Sequence, residues 1–316
     1  MKYLPPVLVT LLLLTTTPAG AQAIKAPRDL VADGEVEAAT ELVFTEGPAY
    51  HRDGSVFFTD IANNRIMRLA PGATDAATFL RPSGRANGLM FDSHGFLIAC
   101  EGNERGGLGG RRLSKIDVVS GTRTVIVDRY EGKRFNSPND LCIDERGRIY
   151  FTDPYYGPDR DGLELDLEGV YRVNPDGTGL VCVLGEGQVS RPNGIAISRD
   201  QKTLYVVDNQ PIIPVRKLWA FPLDDEGNAS GAGKEFYDWG KGRGGDGMAV
   251  DQEGNVYVTG PRGGVLVINA DGEHLGTLLA PPRTSNATFG EDGSTLFVTA
   301  NTRLVRIRLN VKGVGF

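Results

Sequence analysis

The sequence predicts an all-β fold: a six-bladed β-propeller of four-stranded blades, with the ring closed by an N-terminal strand. Three observations carry this expectation. Gly is abundant, at 42 residues, and no long segment has the apolar spacing of a helix. Short runs rich in Val, Ile, Phe, Tyr and Thr alternate instead with Asp-Gly, Asn-Gly and Pro-Gly turns. One unit then recurs six times, and the last copy is about one strand short.

In chain order the units are "EGPAYHRDGSVFFTD" from Glu46, "NGLMFDSHGFLIACE" from Asn87 and "NDLCIDERGRIYFTD" from Asn139. They continue with "NGIAISRDQKTLYVVD" from Asn193, "DGMAVDQEGNVYVTG" from Asp246 and "NATFGEDGSTLFVTA" from Asn286. The distance from the first residue to a strand aromatic or aliphatic is 11 positions in five units, ending at Phe57, Ile98, Tyr150, Tyr257 and Phe297. It is 12 in the Asn193 unit, which ends at Tyr205. Successive units start 41, 52, 54, 53 and 40 residues apart, the size of a blade of about four strands. The first strand of each unit is expected to line a central channel, with the "VFFTD" or "IYFTD" run packed beside it. After Asn286 only 30 residues remain, and "GEVEAATELVF" (34–44) is the candidate for the missing strand. Closing the ring in this way removes free sheet edges.

The N-terminus stands apart. Met1-Lys2, the short apolar run "VLVTLLLL" (7–14) and "AGA" (19–21) form a secretory signal, too short to span a bilayer. Residues 1–21 are therefore expected to be removed, leaving 22–316 as one propeller domain exported to the periplasm or beyond. No later apolar run reaches 18 residues, so no membrane association is expected after cleavage. Net charge is −6 with no basic run, which argues against nucleic acid as a partner. Cys100, Cys142 and Cys182 form no CxxC pair and are expected as free thiols rather than a disulfide framework.

The opening position of each unit carries the chemistry. Its six occupants, Glu46, Asn87, Asn139, Asn193, Asp246 and Asn286, all bear a side-chain oxygen, and none is Lys, Arg or His. If the blades superpose, these oxygens converge near the axis and suit one hard divalent ion, Ca²⁺ first, with Zn²⁺, Mg²⁺ or Mn²⁺ as alternatives. Gly follows the position in four units, so Asn-Gly and Asp-Gly turns explain part of the pattern without any ligand. Glu46 does not fit that explanation.

The motifs "FTEGPAY…FFTDI", "FNSPNDLCID", "YFTDPYYG", "RPNGIAIS" and "GGDGMAVD" resemble those of the SMP-30/gluconolactonase/luciferin-regenerating family, from about residue 35 to the C-terminus. The resemblance implies a six-bladed calcium propeller that hydrolyses sugar lactones such as gluconolactone. It also implies metal ligands at Glu46, Asn193 and Asp246, with Asn139 at the metal or at the substrate. Some animal members carry Arg two residues before that Asn, where this chain has Ser137, so their substrate preference does not transfer.

The residue chemistry agrees with a hydrolase. A divalent ion polarises a carbonyl, and a carboxylate beside it, here Asp246, is placed to activate water or to act only as a ligand. Asn87 and Asn286 are candidates for sugar hydroxyls or simple channel caps. Tyr155 and Tyr156 are expected as an aromatic wall, and "GNERGGLGG" (102–110) as a flap or a plain loop. "DRDGLELDLE" (159–168) partly mimics an EF-hand loop, but Gly157 occupies the first ligand position, so a solvated hairpin is expected. The three histidines, His51, His94 and His274, lie far from the opening positions, which disfavours a Ser-His-Asp triad or a His-rich zinc site. The competing reading is a binding or scaffold propeller of NHL or YWTD type, or a hydrolase of another ester or phosphoester at the same metal.

Overall fold

The structure is a computed structural model that describes residues 31–37, 42–103, 109–210, 215–260 and 264–316. It has six four-stranded antiparallel sheets in a ring, as the repeat predicts. In blade one the strands are Thr45–Tyr50, Val56–Asp60, Arg65–Leu69 and Ala77–Leu80, ordered from the axis outward. Blades two to five repeat this order, beginning at Ala86–Phe91, Leu141–Ile143, Pro192–Ile197 and Met248–Val250. Each recurrent unit therefore supplies the two strands nearest the axis.

Blade six takes three strands from the C-terminus, Thr284–Gly290, Thr295–Ala300 and Arg303–Leu309. Its outermost strand is Val31–Glu37, antiparallel to Arg303–Leu309. The closing strand thus lies earlier than the expected 34–44. Val43 and Phe44 are drawn away from strand pairing because their N–H groups donate to the Asp60 carboxylate, both at 3.2 Å. The expected signal segment lies outside the described residues.

Second strands are buried along their length, as in Val56–Asp60 and Thr295–Ala300. Their side chains fill the wedges between blades, so each hydrophobic cluster joins one blade to the next. Phe57 and Ile66 pack with Leu89 and Leu97, and Tyr150 and Val170 with Ile195 and Val206. The wedge of Phe58 and Met67 with Phe297 and Leu304 joins the first blade to the last. All three cysteines are free, with Cys100 and Cys142 buried. Among the described residues no helix is long and apolar enough to cross a membrane.

Candidate active site

The opening positions sit where the innermost strands leave regular pairing. The register breaks between Glu46 and Ala49, Ala86 and Leu89, Pro192 and Ile195, and Thr284 and Asn286. A bulge takes a side chain out of strict alternation, which is how a strand presents one residue to a site while the rest stay packed. A threonine on the second strand fixes the local backbone. Thr152 Oγ1 accepts from Asp140 N at 3.1 Å, Thr299 Oγ1 accepts from Asn286 N at 3.0 Å, and Thr59 Oγ1 donates to Asn87 O at 3.0 Å.

In three blades an aspartate at the same level of the second strand, after Thr59, Thr152 and Val207, holds the chain entering the same blade. Asp60 accepts from Val43 and Phe44 N, Asp153 from Asn136 and Ser137 N (2.8 and 2.7 Å), and Asp208 from Ser190 and Arg191 N (2.9 and 2.8 Å). In every case the two amides lie three and two residues before the opening position. Charge-assisted bonds of this kind are stronger than neutral ones and fix where Glu46, Asn139 and Asn193 begin.

The glycines have a role different from the expected turns. Gly47, Gly88 and Gly194 lie within innermost strands, and Gly247 directly precedes one. A Cβ on Gly47 would stand 2.1 Å from Asn87 O, and one on Gly194 2.0 Å from Asp246 O. Hydrogen is the only substituent that lets neighbouring blades approach so closely at the axis.

Glu46, Asn193 and Asp246 come together. Asn193 stands beside Asp246, and Glu46 and Asp246 are close enough to repel. A third acid joins them: Asp140 interacts with both. All three are buried, at 5, 9 and 6 % exposure for Glu46, Asp246 and Asp140. Burial, followed by the Asp246 and Asp140 charges, pushes Glu46 well above the usual carboxylate range. Burial raises Asp246 to about 7 against the pull of Arg243, and it raises Asp140 to about 7 despite the amide of Leu141. Arg243 Nη2 lies 3.2 Å from Asp246 Oδ2 and is, among the described residues, the cation that approaches this group.

These residues fit a divalent cation. Among the described residues, three buried carboxylates stand against one guanidinium, a formal excess that one such ion cancels, and the donors are all oxygen. Among the described residues no three His, Cys, Asp or Glu side chains are grouped to hold a metal alone. The set is therefore completed by amide oxygen, with Asn193 placed against Asp246 to supply it.

The other predicted positions divide. Asn139 is buried and its carbonyl accepts from Gly88 N at 2.7 Å. Asn286 is buried, its Oδ1 accepting from Ala287 N at 2.8 Å, in the blade opposite Asp140. Asn87 is half-buried within its bulge. Tyr156 Oη accepts from Asn193 Nδ2 at 3.2 Å, but Tyr155 forms no open wall, its ring being 5 % exposed with Arg160 over it. Ser137 Oγ accepts from Asn103 N at 2.8 Å and so ties blades two and three. The centre of the expected flap lies outside the described residues. The EF-hand-like stretch is no ion loop, because Glu168 is engaged by Arg191 and Arg160 at 2.8 Å each.

Sequence reasoning missed Asp140, Arg243 and the aspartates of the second strands. Asp140 had a signal: it stands where four other units have Gly, and Gly88 leaves room for it, a Cβ there falling 2.6 Å from Asp140 Oδ1.

Beneath the opening positions the channel widens into a cavity of about 250 Å³ lined from all six blades, including Leu89, Leu141, Ile195, Met248 and Phe289. Asp140 and Asn286 also line it, from opposite blades.

Fold and site together define a six-bladed propeller with a buried, oxygen-lined, acid-rich centre at one end of its channel. Residues 44–302 match the SMP-30/Gluconolactonase/LRE-like region, and the chain belongs to that family. It is 36% identical over 301 residues to a gluconolactonase of Zymomonas mobilis, covering 87% of this chain and 81% of the relative. It is 28% identical over 246 residues to the lactonase drp35 of Staphylococcus aureus, covering 75% and 70%. A solved gluconolactonase from Xanthomonas campestris superposes with a TM-score of 0.76 at 28% identity, over 93% of this chain and 98% of that one.

Proposed function

We propose that this chain is a metal-dependent hydrolase that opens sugar lactones such as gluconolactone, acting after export to the periplasm or beyond. The carrying observation is the convergence of Glu46, Asn193 and Asp246, with Asp140 beneath them, at the entrance of a propeller whose relatives are named gluconolactonase and lactonase. Asp153 is raised by burial as well but is spent on backbone amides, whereas Glu46, Asp140 and Asp246 face one another, which is the arrangement a hydrolytic site uses.

Glu46, Asp246 and the Asn193 carbonyl would hold the ion, with Asn139 at the ion or the substrate. Ca²⁺ suits the all-oxygen donors best. When bound, such an ion supplies positive charge that polarises the lactone carbonyl and steadies its oxyanion. The remaining work belongs to the protein. Asp246 takes the proton of the attacking water, and its position beside Arg243 keeps a basic carboxylate available near neutral pH. The Tyr156 hydroxyl and the half-buried Asn87 amide offer hydrogen bonds to sugar hydroxyls.

A pH-indicator assay of gluconolactone opening tests this reading, run with Ca²⁺, with chelator, and with Asp246→Asn. Activity should require the ion and should fall with the variant. Full turnover in chelator would contradict the metal, and an ion-binding protein inactive on a lactone panel would contradict the substrate class.

A further inference from the structure

Glu168 lies outside the group of acids at the channel entrance and is nearly buried, at 9 % exposure. Four contacts converge on its carboxylate. Arg191 binds it in a two-pronged pair, Nε to Oε2 at 2.8 Å and Nη2 to Oε1 at 3.1 Å. Arg160 Nη2 reaches Oε1 at 2.8 Å, and Tyr155 N donates to Oε2 at 2.9 Å. These partners come from different parts of the chain. Arg191 stands two residues before Asn193, Tyr155 directly precedes Tyr156, and Arg160 lies further along the connection that follows Tyr156.

The consequence reaches the candidate active site through Tyr156. Its ring lies against the Arg191 guanidinium, 5.4 Å from centroid to Cζ, and its Oη accepts from Asn193 Nδ2 at 3.2 Å. A guanidinium pinned by two parallel bonds is a rigid platform, and an aromatic face stacks on it favourably. With its amide nitrogen turned to Tyr156, the Asn193 carboxamide has its carbonyl oxygen left for a ligand. Were Tyr156 withdrawn, the amide could turn and present N–H where a cation needs oxygen.

We propose that Glu168 is a positioning residue: by holding Arg191 and the Tyr155 amide it keeps Tyr156 against Asn193, and so sets which end of the Asn193 carboxamide faces the site. The consequence for an ion rests on the proposed function; the positioning itself does not. Glu168 touches neither substrate nor ion. Outer partners of this kind commonly govern metal affinity by about 10- to 100-fold.

Two readouts test it. The first is the Asn193 side-chain amide pair in ¹H–¹⁵N spectra of metal-free protein, identified by its loss in Asn193→Asp. The second is Ca²⁺ affinity by calorimetry. Glu168→Gln and Tyr156→Phe should each shift the amide pair and weaken Ca²⁺ by about tenfold. The double variant should be no weaker than the weaker single, because both act on one chain of contacts. If Glu168→Gln does not fold, Glu168→Asp, which keeps the charge but withdraws it by one methylene, takes its place. An unchanged Asn193 amide pair in the Glu168 variant would overturn the proposal, as would additive losses. A wild-type protein without Ca²⁺ affinity would sink the metal reading alone, and the amide signals would still decide the positioning.

Discussion

The two ends of the central channel are built by the same six innermost strands, yet they differ in almost every physical respect. At the opening end, bulges present Glu46 and Asn193, Asp246 joins them just ahead of its strand with Asp140 beneath, and among the described residues more negative charge is buried than Arg243 offsets. A few residues further along, the strands return to regular pairing and line a cavity with Leu89, Leu141, Ile195, Met248 and Phe289. Asp140 stands at the junction, lining the cavity and interacting with Glu46 and Asp246. The far end gains stability from apolar burial, while the opening end gives some up to hold like charges together. A fold in which second-strand threonines and aspartates already satisfy the entering backbone is able to tolerate that cost.

The contrast is broken most sharply at Asp246. Asp246→Asn should lower lactone turnover by a factor on the order of 10²–10⁴, the usual contribution of a general base. The same change should raise the melting temperature of the metal-free protein at pH 8, because it removes a buried like charge. Loss of both activity and stability would show that the acid is structural. On the packing side, Phe58→Ala in the wedge between first and last blades should cost about 3–5 kcal/mol in denaturant unfolding. Turnover per folded molecule should stay unchanged.

The pH dependence follows from the raised acids. Asp140 and Asp246 have folded values of about 7 against an ordinary 3.8, so folding takes up protons between those limits. Their contribution to stability is fully present below pH 4 and is lost as pH rises through about 7. Metal-free protein should therefore melt higher at pH 5 than at pH 8, and saturating Ca²⁺ should restore the difference at pH 8. Calorimetry at both pH values checks this, and a melting point that rises with pH would refute the sign. A smaller effect is expected at the entry device: Asp208→Asn weakens two charge-assisted bonds and should cost roughly 1.5–3 kcal/mol. The smallest effect belongs to the cavity, where Met248→Leu should change stability by less than about 1.5 kcal/mol and leave turnover unaltered.

Much of this was legible in the sequence because repetition makes position visible. Six units in near-constant register reveal the blades, the strand nearest the axis and the oxygen-bearing opening residue without any long-range information. The closing strand was legible in kind and misplaced in detail, since Asp60 captures the amides of Val43 and Phe44 and shifts pairing to Val31–Glu37. The glycines after Glu46, Asn87, Asn193 and Asp246 looked like turn residues because the same residue type serves turns and close blade contacts. Asp140 escaped notice for a related reason: one unit departs from Gly, and only the neighbouring blade shows that the space is filled by a carboxylate. The links from Arg243 to Asp246 and from Glu168 to Arg191 depend on how loops settle over the ring, which no repeat encodes.

Ca²⁺ binding to metal-stripped protein, followed by isothermal calorimetry, tests the central claim most directly. The structure predicts one site per chain, lost in Glu46→Gln and in Asp246→Asn while both variants remain folded by circular dichroism. Undiminished binding in both variants would contradict it.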